Sequence, residues 1–192
     1  MNYLAHFYLS DNNEDYIIGN LLGDFVKGNK LKDYSEGIAR GIQMHRSIDE
    51  YTDAHPYSKF CRDILRPQLH KYSGIALDIL YDYCLAINWR IYSNQDLNVF
   101  SNYIYHTINN HSHLYTTELK RMILYMQNEN WLLMYQHQEG IEKTFYGMSR
   151  RIKSENNLTA SFSIYKTHEQ EFNQAFEYFF ADIRKEIQSK FF

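Results

Sequence analysis

Apolar residues along this chain recur at spacings of three and four rather than two, and that rhythm predicts helices throughout. Residues 36 to 53 read as one helix. Pro56 opens a second, suiting a first helical turn, and Pro67 closes it because proline cannot continue a helix. Ser73 is the expected N-cap of a long helix reaching about Tyr92, followed by a polar connection over Ser93, Asn94, Gln95 and Asp96. Further helices are expected over 97 to 109 and 117 to 127. Phe172, Phe176, Phe179, Phe180, Ile183 and Ile187 form one stripe of a closing amphipathic helix. The polar stretch 153 to 159 reads as an exposed loop. No repeat or linker divides the chain, so the expected fold class is all-α, a single-domain helical bundle over residues 1 to 192.

Two helices break the usual separation of faces. On the first, Ile38 and Ile42 mark the inner side, and at 100° per residue His45 and Asp49 fall within about 20° of Ile38. An ionised carboxylate buried without a partner costs several kcal/mol or shifts its pKa until it is neutral, so this inward pair asks for a partner. The helix from Ser73 is apolar nearly all round, with Leu77, Leu80, Cys84 and Ile87 on one side and Ile75, Ile79, Ala86 and Trp89 on another. Asp82 lies within that second stripe and Asp78 one turn earlier at its edge, like charges that repel unless a cation joins them.

Composition narrows the class. A chain of 192 residues with 44% hydrophobic residues can bury a core without disulfides, and the two cysteines, Cys61 and Cys84, fit no metal or redox spacing and read as reduced core residues. With 18 Tyr and 12 Phe, ring packing should dominate that core. There is no signal-like segment and no apolar run of membrane-spanning length, which points to a cytoplasmic protein without membrane association. Lys and Arg number 20 against 23 Asp and Glu, and the net charge of −3 argues against nucleic acid as a partner.

The candidate chemistry gathers in the first half. His6 follows Leu4 and Ala5, and Asp24 sits among apolar residues in a segment running from Gly19 to Gly28. Each residue alone is commonplace, a hydrogen-bonded histidine or an aspartate paired with arginine. Together, His6, Asp24, His45, Asp49, Asp78 and Asp82 form a ligand set suited to Mn²⁺, Fe²⁺ or Mg²⁺ with positions left for water. Asp53 and His55 stand at a helix end, where local hydrogen bonding is the ordinary role. Lys27, Lys30, Lys32, Arg40 and Arg46, and separately Arg150, Arg151 and Lys153, could meet a phosphate or an acidic protein surface, or simply be solvated.

Asn2-Tyr-Leu-Ala-His6, Gly19-Asn-Leu-Leu-Gly-Asp24-Phe-Val-Lys-Gly28, His45-Arg-Ser-Ile-Asp49 with Thr52, Asp53 and His55, and Leu77-Asp78 with Asp82 together resemble the acyl carrier protein phosphodiesterase family. The match in order and spacing covers roughly the first half, and the second half adds Gly147-Met-Ser-Arg150-Arg151. The resemblance implies an all-helical fold related to the HD-type metal phosphohydrolases. It also implies Mn²⁺-dependent hydrolysis of the phosphodiester that links 4′-phosphopantetheine to the serine of holo-acyl carrier protein. On that reading His6, Asp24, His45, Asp49, Asp78 and Asp82 hold metal, and Lys27 and Arg46 neutralise the phosphate. Asp24, His45, Asp49, Asp53 and His55 take part in the chemistry. One departure stands out: the family often has a histidine after the second aspartate of the central helix, and here that position is Tyr83. Two rival readings stay open, a helical metal phosphohydrolase acting on a nucleotide or another small phosphoester and a non-catalytic adaptor that binds a carrier protein.

Overall fold

The structure is a computed structural model that describes residues 1–28 and 30–192; among these there are helices, turns and loops and no strand. The chain opens with α1, Tyr3–Leu9, and α2, Glu14–Leu22, whose N-cap Asn13 accepts the Tyr16 N–H. Ser35 caps α3, Glu36–Ala54, by accepting the Ile38 N–H. Next come α4, Pro56–Leu69, and α5, Ser73–Ile87. Then follow α6, Trp89–Tyr92, α7, Leu97–Asn110, capped by Asp96, and α8, Thr117–Asn128, capped by Thr116. The short α9, Trp131–Met134, leads into α10, Gln138–Arg151, and α11, Ser161–Thr167, precedes the long closing helix α12, Glu169–Phe191.

The expected all-α class is what the structure has, with α5 at the centre. Eleven of its residues are buried, and it packs against α1, α4, α10 and α12. Helix α12 lies across α3 and α4 and delivers the expected stripe: Phe172, Phe176, Phe179 and Phe180 are all within 1% of full burial. Phe179 stacks on Tyr81 of α5 at 4.8 Å, so the closing helix is fastened to the central one by rings. Each fully buried phenylalanine contributes about 1.5–3 kcal/mol. Cys61 and Cys84 are free and buried, as their apolar surroundings suggest.

The closest helix pair is α2 with α3, where Gly19 meets Gly41. A Cβ at Gly19 would lie 2.5 Å from the Gly41 backbone, and one at Gly41 would lie 2.8 Å from Tyr16 Cα. Only glycine lets the two backbones touch there.

Four boundary expectations are corrected. Helix α4 runs through Pro67 to Leu69. The proline deprives only the Asp63 carbonyl of a donor, Asp63 is exposed to water, and the burial of Leu65 and Leu69 one turn apart carries the last turn onward. Ser73 is the first residue of α5 rather than its cap; Tyr72 precedes it from a 3₁₀ turn over His70–Tyr72, and no side chain caps α5. The long helix expected to reach Tyr92 breaks at Asn88, whose side-chain amide donates to Cys84 O at 2.9 Å. Trp89 Nε1 donates to Gln95 O at 2.8 Å, which turns α6 toward the connection. Finally, the loop expected over 153 to 159 ends early, because Leu158 is fully buried and starts a 3₁₀ turn over Leu158–Ala160.

Candidate metal centre

Helix α1 presents His6, and α3 presents His45 and Asp49 one turn apart, so two elements aim three side chains at one point. His6 Nε2 lies 3.1 Å from Asp49 Oδ1, and His45 Nε2 lies 3.1 Å from Asp49 Oδ2. The imidazoles stack with centroids 4.3 Å apart, and the ligand atoms of the three residues all lie within 4.8 Å of one another. Asp24, in the turn after α2, adds a carboxylate oxygen 3.4 Å from His45 Nε2. The group opens into a cavity of about 370 Å³ whose walls include Asn2, Tyr3, Asp53, Asp78 and Met148. Gly23 makes room for it: a Cβ there would lie 2.2 Å from His45 Cγ.

The hydrogen bonds around Asn20 fix how His6 faces this point. Asn20 Nδ2 donates to Ser10 Oγ at 2.9 Å and to Met44 Sδ, and Ser10 Oγ donates to His6 O. The amide oxygen therefore accepts from His6 Nδ1 at 2.9 Å, and the proton sits on Nδ1. Burial and the neighbouring His45 lower the His6 pKa, so the ring is neutral and Nε2 turns a lone pair toward Asp49. Met1 O also lies 3.1 Å from that Nε2. A carboxylate, a carbonyl and an imidazole lone pair converge, three acceptors that one cation would satisfy together.

His45 is governed by its two carboxylates. Burial opposes its charge, but the hydrogen bonds it donates to Asp24 and Asp49 prevail and raise its pKa to about 9. Asp24 is lowered chiefly by the hydrogen bond it accepts from His45; burial pushes Asp49 upward, yet the hydrogen bond it accepts from His45 holds it below the usual carboxylate range. A divalent cation here would take the proton's place. Without metal, the sign of the pH effect follows from a folded value above the ordinary one. The stabilisation is complete below about pH 6.5 and is lost as pH rises through about 9. With chelator present, the thermal midpoint of the wild type should fall across that window while that of His45→Gln stays flat. Parallel curves would show that this proton does not stabilise the fold.

The remaining sequence candidates occupy other positions. Asp82 is fully buried and accepts the Leu4 and Ala5 N–H groups at 2.7 and 3.2 Å, so it caps α1; burial raises its pKa to about 7. Asp78 accepts from the Met1 ammonium at 3.0 Å, the cation that separates it from Asp49. Asp53 stands on the cavity rim and pairs with Arg62 at 3.1 Å. His55 lies outside the cavity, caps α4 and sits 3.6 Å from Asp182. Arg46 donates to the Val26 and Gly28 carbonyls and braces the segment after Asp24, whereas Lys27 on that segment is exposed. Tyr83 points away from the centre, edge-on to Phe162 and Tyr165.

Asn20 and Gly23 escaped the sequence reading as contributors to the site. The signal for Asn20 was there, a lone amide in the apolar run from Ile17 to Leu22. The role of Gly23 was not visible, because it depends on the approach of α3.

A family model described as acyl carrier protein phosphodiesterase matches residues 1–183. The chain is 32% identical to the acyl carrier protein phosphodiesterase of Yersinia enterocolitica, over 99% of each chain. It is 30% identical to that of Photorhabdus laumondii, over 100% of this chain and 98% of the relative. No solved structure matches.

Proposed function

The chain belongs to the acyl carrier protein phosphodiesterase family, and we propose on that basis that it hydrolyses the phosphodiester between 4′-phosphopantetheine and the carrier protein's serine, releasing apo-acyl carrier protein. The observation that carries the chemistry is the convergence of the neutral His6 Nε2, Asp49 and His45 within 4.8 Å of one another. Two imidazoles and a carboxylate fit a borderline divalent ion, Mn²⁺ first and Fe²⁺ or Mg²⁺ next, with Asp24 alongside. Such an ion, when bound, polarises a phosphoryl oxygen and lowers the pKa of water toward neutrality. The pairing of imidazoles and carboxylates on a helical frame supports the relation to HD-type phosphohydrolases, and one hydrophobic cluster from Met1 to Phe191 supports a single domain.

The chain's own groups divide the work. Asp24 and Asp49, both kept ionised, accept hydrogen bonds from the attacking water and orient it in line with phosphorus. Asn20 keeps the His6 Nδ1 proton in place, so its Nε2 stays a lone-pair donor through turnover. Lys27 is the exposed cation of the Asp24 segment that meets the phosphate or the acidic carrier protein; Arg46 keeps that segment in place. No helix among the described residues is long and apolar enough to cross a membrane; the cytoplasmic location is proposed from the carrier-protein substrate.

The test is the mass of purified holo-acyl carrier protein after incubation with this protein and Mn²⁺, with a chelator control and an Asp24→Ala variant. The wild type with metal should remove the phosphopantetheine mass, and neither control should. An unchanged mass under conditions where metal binds would transfer the activity to another phosphoester.

A further inference from the structure

A second cavity, about 520 Å³, adjoins the metal centre and shares Asn2, Tyr3, Asp24 and Met148 with it. We propose that this cavity is the subsite for the pantetheine arm, holding the prosthetic group while the carrier protein stays at the surface; this rests on the phosphodiesterase reading above.

Three observations support it. The first is continuity: a linear group whose phosphate lies against Asp24 and Asp49 must run onward from the centre, and Asp24 and Tyr3 line both spaces. The second is chemistry. The walls combine Trp131, Met134 and Met148 with the hydrogen-bonding side chains of Asn128 and Thr144. The arm has the same make-up, methyl-bearing and methylene segments interrupted by two amides, and the volume suits a small molecule rather than a protein element.

The third is Gly147 in the middle of α10. Glycine inside a helix costs about 0.5–1 kcal/mol relative to alanine, so its presence calls for a reason. Gly140 on the same helix has one, since a Cβ there would lie 2.2 Å from Met134 O. Gly147 has none of that kind: nothing lies within 4 Å of where its Cβ would be, and it faces the cavity. The open space there leaves room for a methyl, whereas a long side chain at this position would enter the cavity.

Gly147→Phe fills this space from an ordinary helical position. The readout is the ratio of kcat/KM on holo-acyl carrier protein to kcat/KM on bis(p-nitrophenyl) phosphate, both with Mn²⁺. That ratio should fall about tenfold or more in Gly147→Phe and stay near the wild-type value in Gly147→Ala. Thr144→Phe obstructs the same cavity from the next turn and serves if Gly147→Phe does not fold. An unchanged ratio in the folded variants, or equal loss on both substrates, would overturn the assignment. A wild type inert on holo-acyl carrier protein would overturn the functional reading itself.

Discussion

Asp49→Asn should lower kcat/KM on holo-acyl carrier protein by about 10³-fold, since the charge stabilisation at such a centre is several kcal/mol and each 1.36 kcal/mol is tenfold. Asp49 is the carboxylate that both imidazoles share, at 3.1 Å from each Nε2. An amide of the same shape removes the negative charge and turns an N–H toward a lone pair that needs a cation. The side chain is half exposed, so the fold should survive the exchange. Equilibrium dialysis with Mn²⁺ should show weakened binding alongside the kinetic loss. Wild-type metal affinity together with wild-type turnover would remove Asp49 from the centre.

Asp82→Ala should act through stability instead. Its fully buried carboxylate satisfies two N–H groups at the start of α1, and removing it leaves both in an apolar interior. Each orphaned donor costs about 1–3 kcal/mol, so the loss should be about 2–6 kcal/mol. At about 2–4 °C per kcal/mol for a chain of this size, the thermal midpoint should drop by about 10 °C. Asp82→Asn keeps an acceptor and should lose less. The two aspartates are thus separable by experiment: one variant stays folded and stops turning over, the other melts early and keeps metal-dependent activity in the cold. A normal melting curve for Asp82→Ala would show that α1 does not depend on this cap.

That division was only half visible in the sequence. The helical phase of α3 turns His45 and Asp49 inward by arithmetic on four residues, and the phenylalanine stripe of α12 is equally plain, because both follow from local periodicity. Asp82 was visible as a misplaced charge, but its partner is an α1 backbone 77 residues away, which periodicity cannot reach. Pro67 and Asn88 misled for the opposite reason. Solvent beside Asp63 lets a helix pass its proline, and a side-chain amide ends one where the apolar pattern continues. His6 and Asp24 could be singled out as inward candidates among apolar neighbours but not placed, since neither lies in a helix long enough to show a face. Gly147 was seen within a motif, yet nothing local separates a glycine that permits packing from one that preserves space.

The bare crossing of Gly19 over Gly41 also bears on the metal centre. With backbone against backbone at this point there is no side-chain layer between α2 and α3, so their separation is set by the two glycines. A side chain at either glycine would push α3, and with it His45 and Asp49, away from the helix that leads into Asp24.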